Sequence, residues 1–158
     1  MTHCSEQLER MANPVCEVLV TEAELKAPPL TGNFRPPEAG AAIDFWGIVR
    51  GMEGEREIDG IDYEAHWEMA EYQLKQIAKQ ATDRFVLQLV IVHHRIGFIA
   101  VGASSLFTRV ASAHRAEAFR ASQWLVDELK KKVPIWKRPR FKVESLRRAS
   151  QSETATAK

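Results

Sequence analysis

The stretch FVLQLVIVHHRIGFIAVGASSLFTRVA, residues 85–111, decides the fold. From Phe85 to Ile96 it is a near-continuous apolar run rich in Val and Ile, the pattern of a strand covered on both faces rather than one. Gly97 and Gly102 bracket a turn into a second strand, Ala103 to Ala111, so the economical reading is a hairpin. His93 and His94 end the first strand, where a histidine more often closes a core hydrogen bond than catalyses.

Upstream, Ala70, Leu74, Ile77, Ala78 and Ala81 recur at helical spacing and predict an amphipathic helix over Trp67–Asp83. Downstream, Ala118, Leu125 and Leu129 form one stripe with Phe119, Val126 and Val133 beside it. This predicts a second helix with Ser112 as its N-cap, stopped by Pro134. Further out, Val15–Thr21 reads as a short strand, and KAPPLTGNFRPPEAG holds four of the seven prolines and reads as an extended connection. Ala41–Arg50 alternates, with Ile43, Phe45 and Val49 on one face, and ends in a basic residue. GMEGEREIDG (51–60) reads as a mobile hairpin-like loop leading into a strand over Ile61–Ala65, where Glu64 and His66 could line a cleft. The order describes an α+β domain with helices on a largely antiparallel sheet. Residues 15–145 form that single domain, with a flexible N-terminus over 1–14 and a disordered polar tail over 146–158.

The 158 residues carry 22 Lys+Arg against 21 Asp+Glu, a formal net charge of +1, so no global field recruits nucleic acid or a membrane. Any anion site must be local. No apolar run is long enough to span a bilayer, and the N-terminus lacks an apolar signal core, which points to a cytoplasmic protein. Cys4 and Cys16 have no CxxC spacing, and no compact His/Asp/Glu cluster appears, so neither a metal nor another cofactor is expected. The GxSxG, P-loop, GxGxxG and HExxH patterns are absent.

What remains is a set of basic groups at element ends. Arg50 closes a strand, although such a charge is more often only a solvated one. His114 and Arg115 open a helix, where unpaired N–H groups favour an anion and a cation is locally unfavourable unless an anion offsets it. A solvated surface pair explains them equally well. Lys130 and Lys137 flank Pro134 in LKKKVPIWK. A continuous helix is forbidden there, and a turn could bring both amines to one pocket. Lys131 and Lys132 read as ordinary solvated lysines, and Trp136 as a packing anchor for the turn.

The ordered set FWGIVR, GIDYEAHWEMAE, IVHHRIG, SAHRAEAF and LKKKVPIWKR, spanning about Ala41 to Arg138, resembles the catalytic large subunit of molybdopterin synthase. The resemblance implies an α/β hammerhead-type fold with an additional small sheet and a homodimer within a heterotetramer. A small ubiquitin-like sulfur carrier docks at each end. Its Gly-Gly thiocarboxylate donates sulfur to cyclic pyranopterin monophosphate, and two transfers form the dithiolene of molybdopterin. Carried over to this chain, the resemblance makes Lys130 and Lys137 the catalytic pair, with Arg50, His114, Arg115 and Arg138 holding substrate, some of them across the dimer interface. Pro139 and RFKVES depart from the family pattern after the WK motif, and the 51–60 loop lacks the asparagine often found there, which leaves Arg56 a weak candidate for substrate contact. The competing reading is a non-catalytic module that binds a ubiquitin-like Gly-Gly tail.

Overall fold

A computed structural model describes residues 14–31 and 37–143; residues 1–13 and the tail at 146–158 lie outside the described residues. Among the described residues, eight strands and two helices follow in the order β1 (Val15–Thr21), β2 (Ala41–Ile48), β3 (Met52–Glu53), β4 (Arg56–Ala65), α1 (Trp67–Phe85), β5 (Leu87–Arg95), β6 (Gly97–Ala100), β7 (Ser104–Ser112), α2 (Arg115–Lys132) and β8 (Ile135–Phe141). The main sheet has the order β1-β5-β7-β2. Its pairs are antiparallel except β1 with β5, which run parallel with Val15 opposite Leu89.

The central strand β5 is buried on both faces, as its unbroken apolar run predicts. Val90 and Val92 join Leu74, Ile77, Ala81, Leu125 and Leu129 in the core beneath the helices. Leu89 and Ile91 point the other way, against Leu25, Phe107 and Ala111. That second face also holds Arg109, whose guanidinium clasps Asp44 of β2 and the Pro28 carbonyl. Pro28 and Ala39 of the proline-rich connection thus lie against this face of the sheet.

Strands β5 and β7 pair antiparallel, with His93 opposite Phe107, but the expected hairpin is interrupted. Gly97 and Gly102 have φ of 85° and 86°, a left-handed backbone that glycine tolerates, and between them β6 leaves the main sheet to pair with β4. The second, small sheet is centred on β4, with β6 on one side and β8 on the other. Gly60 of β4 lies beneath the Phe98 ring, where an added Cβ would meet the Ile99 carbonyl oxygen at 2.4 Å. The pairing therefore depends on a residue without a side chain.

Several expectations are corrected. The 51–60 segment is a tight β3–β4 hairpin turning at Gly54, and β4 starts at Arg56, five residues early. Ser112 does not cap α2: pairing with Ala41 keeps it extended as the last residue of β7, its hydroxyl donates to the His114 carbonyl, and His114 takes the N-cap position. Phe119 and Trp136 are exposed rather than packed. The segment after Pro134 is a strand that seats on β4, a pairing not anticipated.

Candidate functional site

A cavity of about 620 Å³ opens where the end of α2, the end of β2 and the small sheet meet. Among the described residues, its basic lining groups are Arg50, Lys130 and Lys137, and no Asp or Glu lines it. Phe45, Leu106, Leu129 and Ile135 supply apolar walls, the usual make-up of a small-molecule site with a few convergent polar groups.

Each basic group has a separate structural cause. A register shift at Gly47/Ile48 bends β2 out of the main sheet. Val49 then anchors in the small-sheet core through backbone bonds with Ala103 and Gly102, leaving Arg50 at the cavity. Lys130 lies in the last turn of α2, next to buried Leu129. Its neighbours Lys131 and Lys132 reach back to Glu128, at 3.5 and 2.6 Å, and so belong to the solvated face. Val133 caps the helix with extended backbone, Pro134 forbids continuation, and β8 carries Lys137 opposite Tyr63.

The remaining proposed site residues fall elsewhere. On β8, Ile135 and Lys137 line the cavity, so the alternation of a strand turns Arg138 to the other face, where it pairs with Glu64 at 3.2 Å. Arg138 is therefore not a pocket residue of this chain. His114 and Arg115 begin α2 while Lys130 ends it, roughly 22 Å away along the axis at the helical rise per residue. Neither lines the cavity. Arg56 stacks over the Phe141 ring at 3.8 Å, engaged within the small sheet. Glu64 and His66 do not line the cavity either: His66 accepts a bond from the Met69 N–H as the cap of α1.

Among the described residues, three further polar residues line the cavity: Tyr63 and Ser105, which carry no site signal in the sequence, and His94, expected only to close a core hydrogen bond. A signal was present for His94, a polar residue ending the most apolar strand. Its Nδ1 lies 2.8 Å from the Arg95 carbonyl, which can only accept, so that nitrogen carries the proton and Nε2 keeps its lone pair. Burial holds His94 down at about 4, its bond to Arg95 opposing that shift and the Lys137 charge adding to it; the ring is neutral at pH 7. Tyr63 packs edge-on against His94 with centroids 5.7 Å apart. Burial pushes the Tyr63 phenol up, with the Ser105 hydroxyl pulling the other way and the Glu53 charge adding to the rise. His93, on the opposite face, bonds Glu17 at 2.5 Å and closes a structural contact. Among the described residues no three His, Cys, Asp or Glu side chains converge on a point that could hold a metal.

Fold and cavity define a two-sheet α+β protein with a cationic small-molecule cleft between a helix end and a strand seam. The chain belongs to the MoaE protein family, whose model matches residues 20–132. It is 36% identical over 121 residues to the molybdopterin synthase catalytic subunit of Thermoplasma volcanium, covering 77% of this chain and 88% of that protein. Its identity to the Pyrococcus abyssi protein of the same name is 41% over 99 residues, covering 63% and 67% respectively. Among solved structures, molybdopterin synthase from Staphylococcus aureus superposes with a TM-score of 0.67 at 27% identity, over 80% of this chain and 91% of that one. The α+β, two-sheet architecture expected from the sequence is the architecture of that relative.

Proposed function

We propose that this chain is a sulfurtransferase, the catalytic subunit of a molybdopterin synthase. It transfers sulfur from the C-terminal thiocarboxylate of a small ubiquitin-like carrier to cyclic pyranopterin monophosphate. The observation that carries the reading is the charge of the cavity: among the described residues, three cations and no carboxylate line one pocket in a chain whose net charge is only +1. Both reactants are anions, a phosphate ester and a thiocarboxylate, and a cleft of one sign concentrates them. The carrier brings its own sulfur, so the chemistry does not call on Cys16, a free thiol on β1.

In this reading Lys130 is the catalytic amine, Lys137 stabilises the charge that develops as sulfur is transferred, and Arg50 anchors the phosphate. His114 and Arg115 lie too far along α2 to reach the same cavity. They serve substrate by coming from a second copy of the chain, which makes the homodimer a functional requirement. The relatives' designation as a catalytic subunit fits an assembly with a second kind of chain. No helix among the described residues is long and apolar enough to cross a membrane, which is compatible with a cytoplasmic site of action.

The test is reconstitution. The chain is mixed with a carrier protein bearing a C-terminal Gly-Gly thiocarboxylate and with cyclic pyranopterin monophosphate, and product is read by mass spectrometry. Gain of two sulfur atoms in the pterin is expected. An unchanged pterin, under conditions where a working synthase converts it, would refute the assignment.

A further inference from the structure

Four cations line up along one short segment beside β4, and they are not treated alike. Arg138 meets Glu64 at 3.2 Å, Arg140 meets Asp62 with a bidentate contact that includes a 2.7 Å bond, and Lys142 meets Glu57 at 3.3 Å. Lys137, the one that lines the cavity, meets an aromatic ring instead: its Nζ lies 5.7 Å from the centroid of Tyr63, its register partner. No carboxylate lies within ion-pairing distance of Lys137 among the described residues.

The ring is itself held. Tyr63 is buried in the small-sheet core with Ile58, Ile61 and Ile99, the His94 ring meets it edge-on, and its hydroxyl end is within hydrogen-bonding reach of Ser105. Ser105 donates onward to the Gly47 carbonyl at 3.3 Å. His94 is fixed in turn by the Arg95 carbonyl. The face of an aromatic ring attracts an ammonium through its quadrupole, yet it carries no charge to neutralise that ammonium. A carboxylate in the same place would hold Lys137 more firmly and cancel the charge that an anionic reactant needs.

We propose that Tyr63, braced by His94, is a positioning residue for Lys137, holding its ammonium in the cavity by a ring face so that it stays aimed and uncompensated. The inference rests on the assignment of Lys137 to the reaction and adds the device that aims it. Three predictions separate it from a merely structural role. In the reconstituted complex, Tyr63→Leu keeps apolar bulk but loses the ring, and kcat falls by roughly tenfold or more while KM for the pterin stays within about twofold. Tyr63→Phe recovers at least half of the turnover lost in Tyr63→Leu. By NMR, the Lys137 side-chain methylene signals show an upfield ring-current shift in the wild type and in Tyr63→Phe, and lose it in Tyr63→Leu.

Lys137→Ala is run alongside. If it is inactive while folded Tyr63→Leu turns over at the wild-type rate, the cradle is refuted and the assignment of Lys137 stands. If Lys137→Ala itself turns over at the wild-type rate, the assignment falls and the cradle with it. Equal losses in Tyr63→Phe and Tyr63→Leu, with the ring-current shift intact in Tyr63→Phe, would also overturn the proposal, because the hydroxyl rather than the ring would then be what matters.

Discussion

Lys130 on α2 and Lys137 on β8 face a single cavity from two different elements, joined by a helix cap at Val133 and a proline that forbids further helix. The two intervening lysines of the same run point away, to Glu128. Lys130→Ala is therefore expected to lower product formation by about 100-fold or more, on the scale of losing one group that stabilises developing charge. Lys131→Ala and Lys132→Ala should stay within about twofold of wild type, as surface ion pairs contribute little. Turnover in the reconstituted complex, with circular dichroism to establish folding, distinguishes the three.

Arg115 and Lys130 belong to opposite ends of α2, so a site needing both must draw them from different copies. Arg115→Ala and Lys130→Ala homodimers should each be nearly inactive. Mixing and re-annealing the two variants should restore up to about a quarter of wild-type activity per site, since a quarter of the sites would carry neither change when copies pair at random. No recovery in verified mixed dimers would count against the shared site.

The His94 ring is buried and bound to a backbone carbonyl, with its pKa lowered from 6.5 to about 4. The folded state then binds fewer protons than the unfolded one between those values. The contribution is full above about 6.5 and drains away as pH falls toward 4, by up to about 3 kcal/mol. Denaturant titrations of the wild type and His94→Gln between pH 7 and 4.5 check this. The variant's stability should fall less steeply over that window, and parallel curves would dismiss the role of His94.

Asp44 receives two bonds from Arg109, at 2.6 and 2.7 Å, and the Arg109 side chain is only 3% exposed. Asp44→Ala leaves that guanidinium buried, with the Pro28 carbonyl as its remaining hydrogen-bond partner among the described residues and the Phe107 ring centroid 5.5 Å away. A loss of about 3 kcal/mol is expected, the low end of the range for breaking a buried pair because Asp44 is itself a third exposed. A denaturation midpoint unchanged from wild type would show that the pair is dispensable.

Val86 ends α1 in the left-handed region, at φ 50° and ψ 55°, with its side chain exposed. A β-branched residue is strained there, and it packs too little to compensate. Val86→Gly should stabilise the protein by about 0.5–1 kcal/mol, the relief of strain less the extra freedom glycine gives the unfolded chain. Equilibrium unfolding measures it, and a destabilised variant would refute the strain.

The periodicities of the sequence determined much of this protein. Ala70, Leu74, Ile77, Ala78 and Ala81 bury one face of α1, and the unbroken run at residues 89–92 is the doubly covered centre of the main sheet. Such patterns are legible because a helix or strand repeats its buried positions at a fixed local interval. LKKKVPIWK likewise marked Pro134 as the break between Lys130 and Lys137, both of which line the cavity. The sequence could not reveal that IWKRPRF is a strand: its charges and Pro139 obscure the alternation, and Pro139 is tolerated because, among the described residues, β8 pairs on one side only, with β4. Nor could it reveal that β6 leaves its hairpin, that Arg138 faces away, or that Tyr63 and His94 stand beneath Lys137. These depend on the register between strands distant in sequence, where one residue of slip would turn Arg138 toward the cavity and Lys137 away from it.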